Sequence, residues 1–216
     1  MSNLTWFFRS PRSAPCPGET LSPLYLLRRD IDTCFGSDPN TGVLLQPIDK
    51  LSGAPINCQA LWPGTMAILA GIDLLGKFLV GTDQTRGPGS VTVGVRYKDF
   101  CKRYLGLSEP DANLVYQLRN SMLHSFGLYA EEIDSQGKVK ATYNFILSLG
   151  SDAVVQHLKD DYYQVDMQRL RELFDQAVAQ YEVDLKDAKD INDKFNVMLP
   201  KVKPISYRVK VGFPFP

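Results

Sequence analysis

The chain carries two histidines, and one of them, His124, stands among residues that could work with it. The run Arg119-Asn120-Ser121-Met122-Leu123-His124 pairs an imidazole, able to move a proton near neutrality, with a guanidinium whose fork of donors suits phosphate. At helical period Asn113, Gln117, Asn120 and His124 fall on one stripe with Ser121 at its edge. Val115, Leu118, Met122 and Phe126 form the opposite, apolar side. A stripe that merely faced water would be filled with Lys and Glu. Uncharged amides, a hydroxyl and an imidazole instead suit directed hydrogen bonds in a partly dry place. His124 falls in the last helical turn, where the dipole favours a proton on the ring. Arg119 precedes it by five residues, well over a right angle away around the axis, so the spacing separates the two groups within one chain.

Other candidate groups read as ordinary. His157, in AVVQHLKDD, occupies a polar position on a short helix or turn, and Asp160-Asp161 reads as a solvated helix entry because adjacent residues point different ways. The loop Gly81–Ser90 lacks the Gly-Lys-Ser/Thr ending of a phosphate loop. Cys16, Cys34, Cys58 and Cys101 lie far apart, with no Cys-x-x-Cys pair, and read as reduced thiols; no convincing metal-ligand set and no cofactor motif is present. Arg86, Arg96, Lys98, Lys102 and Arg103 outnumber Asp99 in their stretch, a locally basic neighbourhood able to meet an anionic substrate.

Arg119-Asn120-Ser121-Met122-Leu123-His124 is an Arg-Asn-x-x-x-His motif on a late helix, and it resembles the signature of the HEPN superfamily of helical-bundle proteins, many of them metal-independent ribonucleases. The resemblance covers that helix closely and the rest of the chain loosely. It implies a homodimer in which the Arg119 of one protomer meets the His124 of its partner in a cleft, acting on RNA without metal or cofactor. It further implies catalytic roles for Arg119, Asn120 and His124 and a toxin or defence setting with an antitoxin-like partner; the expected substrate contacts are Gln117 and Ser121 on the stripe and Lys98, Lys102 and Arg103 in the basic stretch. The other class compatible with these residues is a non-catalytic helical dimer that binds a protein, RNA or a nucleotide.

The elements that must position this motif can be read from pattern. Ser108-Glu-Pro-Asp111 starts its helix, with a capping hydroxyl and a proline in the first turn, and Gly127 ends it. Earlier helices are expected over Ser22–Phe35, Trp62–Val80 and Tyr97–Leu105. Trp62–Val80 is the most apolar, yet Asp73 and Lys77 at its middle favour a buried core helix, with the two paired at i, i+4, over a membrane span. Met167, Leu170, Phe174, Val178, Tyr181, Leu185, Ala188, Ile191 and Phe195 recur by threes and fours as one long helical pattern, and residues 159–196 hold ten acidic against six basic side chains, a solvated face. LYAEEID and VKATYNFILSL read as a hairpin about SQGK, and Ile205–Val211 alternates in a way that could extend the same antiparallel sheet.

With 216 residues, 44% apolar and 22% charged, the chain suits one globular domain; equal numbers of basic and acidic residues exclude binding driven by bulk charge. The expectation is a mainly α (α+β), HEPN-like bundle over 19–216, behind an extended N-terminal arm over 1–18 in which SPRSAPCPG forbids regular structure. The N-terminus lacks a signal-peptide pattern, which fits a cytoplasmic protein with no membrane partner.

Overall fold

The computed structural model describes residues 3–13, 15–16, 18–38, 40–45, 48–49, 51–53 and 59–206. Helices dominate, with two small sheets, so the class is mixed α and β. The helices are α1 (Asn3–Phe7), α2 (Pro23–Cys34), α3 (Leu61–Val80), α4 (Val93–Tyr104), α5 (Glu109–Ser125), α6 (Met167–Asp187) and α7 (Lys189–Met198). The pattern of hydroxyl caps explains several starts: Ser22, Thr92 and Ser108 each accept a hydrogen bond from the backbone three residues on. The Thr92 cap is why α4 begins four residues before the expected Tyr97.

Helix α3 is the hub, packed against α2, α4, α5, α6 and α7. It is long and apolar enough to cross a membrane, but more than half of it is buried inside this fold, with Ile68, Leu69, Ile72, Leu75 and Phe78 inaccessible. Two glycines admit its neighbours. A Cβ on Gly71 would lie 2.5 Å from the Phe174 ring of α6, and one on Gly76 would lie 2.8 Å from the Arg96 carbonyl oxygen of α4. That second approach brings the start of α4 close to Asp73.

Several expectations are corrected. Part of the anticipated arm is structured: α1 is helical, and Phe7 and Phe8 are buried against Phe195, with Phe7 also against Phe78, because three consecutive aromatic residues bury too much area to stay outside. The long helical pattern is two helices, broken where Ala188 turns extended (φ −112°, ψ 110°), and the Asn192 side chain donates to the freed Leu185 carbonyl. Strands β2 (Tyr129–Ile133), β3 (Val139–Ser148), β4 (Val155–Lys159) and β5 (Tyr162–Asp166) form one sheet in the order β2-β3-β5-β4, with β5 parallel to β3 and the other pairs antiparallel.

The C-terminal strand does not join that sheet. Ile205–Ser206 (β6) pairs instead with Thr20–Leu21 (β1), and 207–211 lie outside the described residues, as does Cys58. His157 therefore sits on a strand, stacked on Tyr163, and Asp160, at φ +49°, makes the turn into β5. Asp161 is no helix entry. It accepts from Thr142 Oγ1 and Asn144 Nδ2 and so clamps that turn to β3.

Candidate functional site

Helices α4 and α5 run back along one another, with Lys102 against Glu109 at one end and the Tyr97 ring 5.6 Å from that of Tyr116 nearer the other. Behind them lies Asp73 of α3. Arg119 Nη2 donates to Asp73 Oδ2 at 2.9 Å, and Arg96 Nη2 approaches Asp73 Oδ1 at 3.6 Å, an ion-pair distance too long for a hydrogen bond. Asp73 thus meets two arginines rather than Lys77, and two guanidinium groups share one carboxylate with a positive charge in excess. The side chains are largely buried, 4% exposed for Arg96, 12% for Arg119 and 13% for Asp73.

Arg119 also reaches His124 within the same chain. Its Nη1 lies 2.7 Å from His124 Nε2 and 3.1 Å from Asn120 Oδ1. This corrects the expectation that the two groups could meet only across a dimer: five residues rise roughly 7.5 Å along a helix, a span a long arginine side chain covers. A guanidinium only donates, so as a hydrogen bond this contact requires His124 Nε2 to be the acceptor. His124 itself is exposed at the helix end.

Four buried polar atoms around this group have no hydrogen-bond partner among the described residues: Asp73 Oδ1, Arg96 Nε, Arg119 Nε and the Tyr97 hydroxyl. Burial pushes the Tyr97 hydroxyl well above the usual phenol range. It is a neutral wall of the site, not an acid–base group. Asp73 and Arg96 were missed by motif reading, the first because it lies 46 residues from its partner. An acidic residue at the middle of the most apolar helix was the available signal.

The other expected contact residues do not gather here. Gln117 and Ser121 are buried, and Ser121 Oγ donates to the Tyr129 carbonyl of β2, so neither is open to a substrate. Asn113 donates to the Tyr143 hydroxyl at 3.4 Å. Much of the amide stripe is thus covered by the chain's own β2 and β3. Lys98 and Lys102 both pair with Glu109, Lys102 also with Asp99, and Arg103 lies over the Tyr104 ring, 3.9 Å from Asp184. That cluster is neutralised by acids, and Glu109 stands ten residues, roughly 15 Å along α5, from Arg119. Phe126 takes the left-handed C-cap conformation (φ 52°) and is 72% exposed rather than part of the apolar side.

No family model, curated protein or solved structure matches the chain. What the site can do is set by its own atoms: a guanidinium fixed by a carboxylate, an imidazole lone pair held by that guanidinium, and exposed aromatic rings at Phe126 and Tyr129 beside it in sequence. Among the described residues no cluster of His, Cys, Asp and Glu could hold a metal ion.

Proposed function

We propose that the chain is a metal-independent endoribonuclease with a HEPN-like bundle, acting in the cytoplasm as a homodimer in a toxin or defence setting. The supporting observation is the 2.7 Å contact between Arg119 and His124, the two chemically competent side chains of the motif, at an exposed helix end. In this reading a backbone phosphate draws Nη1 of Arg119 away from the imidazole, which frees Nε2 as general base. His124 takes the proton of the ribose 2′-hydroxyl, the 2′-oxygen bonds to the adjacent phosphorus, and the bond from phosphorus to the 5′-oxygen breaks. Arg119, held by Asp73, stabilises the added negative charge. The departing 5′-oxygen needs a proton, and since each site holds one imidazole, the partner's His124 supplies it across the two-fold axis. Phe126 and Tyr129 offer rings for unstacked bases.

The test is cleavage of RNA by the full chain in EDTA. Arg119→Ala and His124→Ala each lower the rate by roughly a hundredfold or more, and the products end in a 2′,3′-cyclic phosphate. Arg119 and the His124 acting as base belong to one chain and the acid to its partner, so no site in a mixed dimer keeps all three groups, and mixing the two variants restores no activity. Unchanged cleavage in either variant, or recovery in the mixture, sinks this arrangement. A second reading has one observation in its favour: Asp73, Arg96 and Arg119 are largely buried and tie three helices together, as they would in a non-catalytic interaction module. In that case neither variant alters RNA, and Arg119→Ala chiefly lowers stability.

A further inference from the structure

A polar cleft of about 330 Å³ lies between the N-terminal segment, α2 and α6, away from the motif, and three arginines (Arg12, Arg28, Arg171) face two aspartates (Asp32, Asp175) in it. One pair is closed. Arg171 Nη2 donates to Asp32 Oδ1 at 2.6 Å and to Ser37 Oγ at 3.3 Å, while its guanidinium lies over the Phe35 ring. The other two arginines keep donors in hand. Arg28 Nε stands 3.9 Å from Asp175 Oδ1, beyond hydrogen-bond reach, and is buried with no acceptor among the described residues. The Arg12 guanidinium makes no hydrogen bond or ion pair among the described residues and rests on Gly42, where a Cβ would lie 2.5 Å from its Nη2. Gly42 holds φ +73°, a conformation that suits a residue with no side chain to obstruct Arg12.

We propose that this cleft binds a phosphate group, as inorganic phosphate or a phosphomonoester. Three guanidinium groups exceed two carboxylates by one charge, and the unspent donors come from two separate segments. A tetrahedral dianion presents oxygens in both directions at once, whereas one carboxylate presents two oxygens in a single plane. Burial works against the existing charges as well. It holds the Arg28 guanidinium below its usual range and lifts the Asp175 carboxyl above its own, so the resident pair is a poor substitute for a bound anion. Asp175 is the internal competitor: it occupies part of the field that phosphate would fill.

The experiment is isothermal titration of inorganic phosphate and of phenyl phosphate into the full chain, with acetate as control. Saturable one-to-one binding of either phosphate is expected, weakened roughly tenfold or more in Arg12→Gln and in Arg28→Gln. Asp175→Asn should tighten binding several-fold by removing the competing charge, and Arg119→Ala should leave it unchanged. Arg12 is exposed, so its variant folds and stays readable even if the Arg28 variant does not. Absence of saturable heat at about 10 mM phosphate, equal binding of acetate, or undiminished affinity in Arg12→Gln overturns the proposal.

Discussion

Asp73 and Asp175 both face arginines, yet they sit in opposite kinds of place. Asp73 lies at the middle of the core helix and is hemmed in by Arg96 and Arg119, and the surplus donor of Arg119 turns to Asn120 Oδ1 and the imidazole of His124. The Asp175 side chain is 46% exposed, its arginine stands off at 3.9 Å, and the surplus charge opens onto a cleft. The same residue types therefore serve two ends. Enclosed, the carboxylate fixes a guanidinium in one pose; open, it leaves the guanidinium short of a partner.

Removing each carboxylate is the most direct way to break this comparison. Asp73→Ala leaves two largely buried guanidinium groups uncompensated and is expected to lower unfolding free energy by about 3–5 kcal/mol in urea denaturation. Asp175→Ala removes a loose, half-exposed pair and should lower it by about 1 kcal/mol or less. Equal losses would mean that the two clusters are energetically alike. A finer probe lies beside Asp73. The Tyr97 hydroxyl is buried without a partner, so Tyr97→Phe should leave stability unchanged or raise it by up to about 1 kcal/mol, whereas a hidden polar contact would make it fall.

The smallest effect sharpens the contrast from outside both clusters. Glu132 is held below its ordinary value of 4.5 by hydrogen bonds from Lys140 and then Tyr143. A carboxyl lowered in the folded state adds stability that is present above its ordinary value and lost as pH falls through the folded one. Thermal melts of wild type against Glu132→Gln should therefore differ near neutrality by no more than about 0.5 kcal/mol and converge below about pH 4. A gap that persists in acid would assign Glu132 a role other than its charge.

The helices were legible where caps and periodicity agree. Ser108 with Pro110 fixed the start of α5, and Pro63 with Gly81 bracketed α3. Strands β4 and β5 were not, because β4 is an exposed edge strand with no clean alternation and its turn rests on Asp160 at a positive φ rather than on glycine. At the site, the motif marked Arg119, Asn120 and His124, but helical angle describes where a side chain starts, not how far a guanidinium reaches. The basic reading of Lys98, Lys102 and Arg103 weighed them against Asp99 alone. Glu109, just past the next turn, and Asp184, some eighty residues on, cancel much of that charge.

The seating of Phe7 and Phe8 on Phe195, and of β1 on β6, bears on how the chain is made. Those early aromatic residues leave the ribosome about 190 residues before the surface that receives them, roughly 10–40 s at ordinary elongation rates. Through that interval Trp6, Phe7 and Phe8 are an exposed apolar stretch of the kind chaperones hold. Phe78 of α3 can receive Phe7 earlier, but the Phe195 face of that seat exists only once α7 has emerged.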